Sequence, residues 1–263
     1  MTRLHFAHAN GFPAGSYRQL FEYLPDTWHI EAIDKIGHNP QFPVSRGWPF
    51  LIKELEHYLE SHFDAPVYGV GHSFGGLLTY LTACHRPDLF KGVIMLDPPV
   101  VTGLMRHVAK AVRLTPFFDK ITPAGKAAVR CTRWPKDTDL VQYFKQRGLF
   151  RHISEDIVGD YVASAIASNE DEHILAFDHQ TEAEIFRTVP LNLPAYYNKF
   201  TVPGKLVTAE HSDVVKPSMV KQFIHKNGLL HTEFKGAGHM FPLEQPGETA
   251  KLIQRTIDNW EHG

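Results

Sequence analysis

The run Pro66-Val67-Tyr68-Gly69-Val70-Gly71-His72-Ser73-Phe74-Gly75-Gly76-Leu77-Leu78 constrains this chain more than any other. An apolar stretch enters a Gly-x-Ser-x-Gly pentapeptide and leaves it with Leu77, Leu78 and Leu81 at helical spacing. No residues are left over for a loop, so a strand must turn directly into a helix with a serine at the corner. Gly71 and Gly75 flank that corner, where side chains would collide as strand and helix close together. Three fixed residues in five recur by chance too often to carry a function alone. Their position between strand and helix gives them weight. A serine hydroxyl is also a weak nucleophile at neutral pH, so a base, a carboxylate and an oxyanion site must be sought elsewhere.

The alternation continues along the chain. Short apolar runs at 4–6, 28–33, 66–70, 91–96, 204–209 and 229–234 predict strands. Helical stripes separate them: Leu51, Leu55, Tyr58 and Leu59, then Leu77, Leu78 and Leu81, and finally Ala250, Ile253, Ile257 and Trp260. This is the pattern of an α/β fold, a mostly parallel sheet flanked by helices. Between 101 and 195 helical segments follow one another without a convincing strand, punctuated by Pro116, Pro123, Pro135 and Pro190. The expectation is a core made of 1–100 and 196–263 with a helical lid, 101–195, inserted into it. The lid's charge is segregated, with Lys and Arg dominating 106–151 and Asp and Glu dominating 155–184. Two solvated or mutually paired faces are the simpler reading; a basic surface that attracts an anionic substrate is the sharper one.

At 263 residues, 43% hydrophobic and 21% charged, the chain has the composition of a globular protein with a substantial core. A net charge of -2 gives no reason to expect nucleic acid or an acidic membrane as partner. Cys84 and Cys131 lack metal-ligand spacing and read as reduced thiols, which suits a cytoplasmic protein. The first residues contain no long apolar run, so no signal peptide is expected. The 17 histidines form no metal-binding motif, and neither a metal nor another cofactor is expected.

With its strand and helix on either side, "GHSFGG" resembles the nucleophile turn of the α/β-hydrolase family. Several further segments resemble the same family: "HANGFPAGSY", "AIDKIGH", "RPDLFKGVIMLDP", "KLVTAEHSDVVKP" and "FKGAGHMFPLEQP". The resemblance covers 4–99 and 204–260, and the lid only loosely. It implies a sheet that lacks the family's usual N-terminal hairpin and an order of nucleophile, acid, histidine along the chain. Ser73 would then be the nucleophile and His239 the base. Asp213, just past a strand, takes the family's usual acid position; Asp97 is the alternative and Glu210 a weaker third. The oxyanion hole would use the backbone N–H of Phe74 and one from the first loop. Aligning that loop on Gly-Phe-Pro selects Phe12, whereas aligning it on His8 selects Asn10, because Ala9 and Asn10 intervene between His8 and Gly11. His8 would brace the loop, and the Asn10 amide could face the substrate. Trp134, Tyr143, Phe144, Phe150 and Tyr161 are candidates to line an apolar pocket or to form lid core.

The activity implied is that of a carboxylesterase-like serine hydrolase, cleaving an ester-type bond of a small, partly apolar substrate through an acyl-enzyme. A thioesterase, a C–C hydrolase and a hydroxynitrile lyase share such a triad. A receptor that retains it but turns over little is the alternative from another class.

Overall fold

Strands whose residues alternate between two apolar faces give this molecule its centre. In the computed structural model, which describes residues 1–263, the chain begins with β1 (Arg3–Ala7), α1 (Arg18–Glu22), β2 (His29–Glu31) and α2 (Pro49–His62). It continues through β3 (Val67–His72), α3 (Phe74–His85) and β4 (Phe90–Leu96). These strands join two later ones, β8 (Gly204–His211) and β9 (Leu230–Gly238), in one sheet of order β2-β1-β3-β4-β8-β9, with every pairing parallel. A parallel sheet is buried on both faces, and all six residues of β3 are buried accordingly. Ile94 and Leu96 point into one apolar cluster; Val93 and Met95, one residue out of phase, point into the other.

Between β4 and β8 lie α4 (Gly103–Val112), α5 (Pro116–Ile121), α6 (Ala124–Ala128), β5 (Arg133–Pro135), α7 (Leu140–Lys145) and α8 (Glu155–Ala165). The same segment holds β6 (Ile166–Ser168), β7 (Glu172–Leu175) and α9 (His179–Arg187). Its three strands form a small antiparallel sheet of order β5-β7-β6, so the segment is not wholly helical as expected. Each of these strands has three or four residues and at most one that is buried. Strands that short and that exposed leave no apolar alternation to read.

The chain returns to the core with β8 (Gly204–His211), α10 (Pro217–Asn227), β9 (Leu230–Gly238), α11 (Phe241–Glu244) and α12 (Pro246–His262). Helices α2, α3 and α10 cover one face of the large sheet, and α12 covers the other with Ala250, Ile253 and Ile257. No helix is long and apolar enough to cross a membrane.

Candidate active site

β3 turns into α3 at Ser73, and the backbone there is strained. Ser73 has φ 53° and ψ -117°, a region that non-glycine residues rarely adopt, at a cost of roughly 1–3 kcal/mol. Its N–H is held by the Leu96 carbonyl at 2.8 Å. A Cβ on Gly71 would overlap the Gly75 backbone, and a Cβ on Gly75 would overlap the Ala7 and His8 carbonyls. Glycine is therefore required at both positions, once for the strand–helix corner and once for the approach of the first loop.

His239 directly follows β9. Its Nε2 lies 3.0 Å from Ser73 Oγ, and its Nδ1 lies 2.6 Å from Asp97 Oδ2. Asp97 is fully buried and has φ 47°, with its own N–H fixed on the Val207 carbonyl at 2.7 Å. Its carboxylate also accepts from the Ala209 N–H at 3.1 Å and from Ser212 Oγ at 2.6 Å. These donors and the imidazole leave a buried carboxylate well satisfied.

Asp213, the expected partner, does not occupy this place. It is exposed and makes neither a hydrogen bond nor an ion pair with another side chain. The cause is the tight turn at the end of β8, in which the Ser212 N–H bonds the Ala209 carbonyl at 3.2 Å. That turn aims Ser212 inward at Asp97 and leaves Asp213 outside. Glu210 also points away, holding Lys235 and the Gly236 N–H.

The first loop departs from expectation in the same way. The Phe12 N–H, expected as an oxyanion donor, is already bonded to the Ala9 carbonyl at 3.0 Å across a tight turn. The N–H groups of Asn10 and of Phe74, the first residue of α3, have no acceptor within the chain. Asn10 and Phe74 thus each keep a free donor, as does Gly11 beside Asn10. The Asn10 side chain does not face the serine; its amide donates to the Glu182 carbonyl at 2.9 Å. Gly11, at φ 78°, lies against Glu182, and a Cβ there would come within 2.6 Å of Oε1. Glu182 in turn accepts from Arg130, which also donates to the Tyr161 hydroxyl. His8 braces the loop, donating from Nδ1 to the Ala9 carbonyl at 2.8 Å and accepting the Ile36 N–H at Nε2, 2.9 Å away. Burial pushes its pKa down to about 4, so the ring stays neutral.

A second buried histidine ties this loop to His239. The Ala9 N–H donates to the Tyr17 hydroxyl at 3.2 Å, so the hydroxyl donates to His72 Nδ1 at 2.7 Å. His72 must then carry its proton on Nε2, which lies 2.9 Å from the His239 carbonyl. Burial, with His239 nearby, holds the His72 pKa well below its ordinary value. His72 was visible in the pentapeptide, but nothing in the sequence pointed to Tyr17 as its partner.

The five aromatic candidates pack mainly on one another. Trp134, Phe144, Phe150 and Tyr161 are buried, Tyr143 is half-buried, and their ring centroids lie 4.8–5.8 Å apart in neighbouring pairs. The Phe12 ring joins them, 5.3 Å from Phe150 and 5.2 Å from Tyr161. The cluster is core of the inserted segment, and it supports the first loop through Phe12.

This geometry sets a hydroxyl, an imidazole and a carboxylate in line, with free N–H groups on adjoining segments. Among known proteins, lipase LipV of Mycobacterium tuberculosis is 32% identical over 127 residues, which is 47% of each chain. A type I acyl-CoA thioesterase of Penicillium brevicompactum, mpaH', is 27% identical over 148 residues, 48% of this chain and 34% of that one. The chain thus spans half or less of the length of these curated relatives. In solved structures, E-2-(acetamidomethylene)succinate hydrolase shares the fold with a TM-score of 0.80 at 19% identity, over 98% of this chain and 91% of that one. The model of the alpha/beta hydrolase family matches residues 6–252, nearly the whole sheet and everything inserted in it, and the chain belongs to that family.

Proposed function

We propose that the protein is a serine hydrolase that cleaves an ester or related acyl bond through an acyl-enzyme. The observation that carries this reading is the unbroken line from Ser73 Oγ to His239 at 3.0 Å and from His239 to Asp97 at 2.6 Å. His239 Nε2 takes the hydroxyl proton as Ser73 Oγ attacks the acyl carbon, and then delivers it to the leaving group. Asp97 keeps the Nδ1 proton in place and stabilises the imidazolium that forms. The carbonyl oxygen gathers negative charge in the tetrahedral intermediate, and the N–H groups of Phe74 and Asn10 receive it. Water then repeats the sequence on the acyl-enzyme and frees the acid.

Labelling with a fluorophosphonate tests the reading. The folded protein should react at Ser73, and Ser73→Ala should not react; a folded wild type that stays unlabelled overturns it. The resemblance to an acyl-CoA thioesterase favours a second reading, in which the leaving group is a thiol. Comparing kcat/KM for an oxygen ester and a thioester of the same acyl group separates the two.

A further inference from the structure

Helix α4 is seated the wrong way round for a surface helix. It contains no buried residue. Thr102, Arg106, Ala109 and Arg113, spaced i, i+4, i+7 and i+11, form the stripe that meets the protein. Thr102 Oγ1 donates to the Met219 carbonyl at 3.1 Å, and the Arg113 guanidinium donates to the Val189 carbonyl. The opposite stripe is apolar and faces outward: Leu104 is 77% exposed, Val108 45% and the neighbouring Met105 42%. The apolar surface continues beyond the helix through Leu114, Phe117 and Ile121, which are 80%, 53% and 52% exposed. An amphipathic helix normally turns its apolar side to the core. Here polar and small residues, with the half-buried Val112, hold the helix down while the larger apolar ones are presented.

The charge around this face is one-sided. No Asp or Glu occurs between Asp97 and Asp119; Lys110 is exposed there, while Arg106 and Arg113 belong to the stripe that meets the protein. His107 and Lys110 lie along one edge of the apolar stripe, and the exposed Lys120 and Lys126 follow it. The first acid beyond, Asp119, is already paired with Arg187. A net charge of -2 for the whole chain conceals this local basic window, which is why composition gave no sign of an acidic membrane. Apolar residues edged by cations, without acids between them, complement the surface of an anionic bilayer. A second copy fits less well. A two-fold contact would set this face against itself and bring like charges together, with no acid in the window to pair them.

We infer that α4 and the segment running on to Ile121 form a docking face for an anionic lipid surface, with Leu104, Val108, Leu114 and Phe117 entering the interface and Lys110 contacting headgroups. The inference does not depend on the chemistry at Ser73, and its test reads binding rather than hydrolysis. Flotation of the full chain should be measured with vesicles of phosphatidylcholine alone and of phosphatidylcholine mixed with phosphatidylserine. The wild type should float with the mixed vesicles, less with the neutral ones, and less again as salt is raised. The triple variant Leu104→Ser/Val108→Ser/Phe117→Ser should lose more than about tenfold in partitioning, with an unchanged circular dichroism spectrum. Lys110→Gln should lose about fivefold on mixed vesicles at low salt and little on neutral ones. Equal flotation of wild type and triple variant overturns the inference. It also fails if the wild type ignores both vesicles but dimerises in sedimentation velocity, and the triple variant abolishes the dimer.

Discussion

Asp97 and Asp213 are both aspartates just past the ends of adjacent parallel strands, and only their immediate neighbours distinguish them. Asp97 is buried with the Ala209 N–H, Ser212 Oγ and His239 Nδ1 around its carboxylate, while Asp213 is exposed. Asp97→Asn should therefore lower kcat by roughly 10⁴-fold, because an amide there favours the wrong imidazole tautomer. Asp213→Asn should stay within about twofold of wild type, as surface substitutions usually do. Steady-state kinetics on a short ester decides the matter: a larger fall for Asp213→Asn would remove Asp97 from its role. The sequence contained both residues and the correct strands. What it did not contain was the direction of a side chain, since β4 and β8 are neighbours and both end at the same edge of the sheet. The turn that sends Asp213 outward depends on one bond, Ser212 N–H to the Ala209 carbonyl. Phe12 and Asn10 pose the same problem. A single turn hydrogen bond occupies the first N–H, while the second has no acceptor within the chain.

The relay from the first loop through Tyr17 and His72 to His239 joins three elements that are far apart in the chain. Each link lies between groups that are buried or nearly so, so removing one strands its neighbours. Tyr17→Phe deletes the acceptor for the Ala9 N–H and the donor for His72 Nδ1 together. It should cost about 1–3 kcal/mol of stability, read by denaturant unfolding. Because it also loosens the loop that carries Asn10 and the carbonyl that positions His239, kcat should fall roughly tenfold to a hundredfold. KM should change little, since none of these groups is placed to bind the ground-state substrate. A merely structural role would lower stability and leave kcat per folded molecule unchanged. The large elements around this relay were legible, because strands buried on both faces and helices with apolar stripes announce themselves by period. The small sheet β5-β7-β6 was not, because each strand is too short and too exposed to show one.

Across the whole molecule, buried titratable groups make stability depend on pH. His5, His8 and His72 are buried as neutral rings, with His5 pushed down to about 3 and His8 to about 4 by burial. The unfolded chain protonates these rings near the ordinary histidine value of 6.5, so their contribution is present above that pH and is lost as pH falls below it. Glu54 opposes them. Burial raises its pKa from 4.5 to about 7, so its contribution is present at low pH and lost as pH rises through that range. Three groups against one leave the histidines dominant, and stability should fall by about 2–3 kcal/mol between about pH 6 and pH 5. Guanidinium melts at the two pH values measure it, and His5→Phe should reduce the slope by roughly half, because Glu54 already offsets one of the three histidines. The proposed function rests on one event, transfer of an acyl group to Ser73. Its most direct measurement is an acid quench during turnover of an activated ester, with the acyl group located by peptide mass spectrometry. One equivalent should be found on the peptide that contains Ser73, and none in Ser73→Ala; acyl transfer to another residue, or turnover that persists in Ser73→Ala, would contradict it.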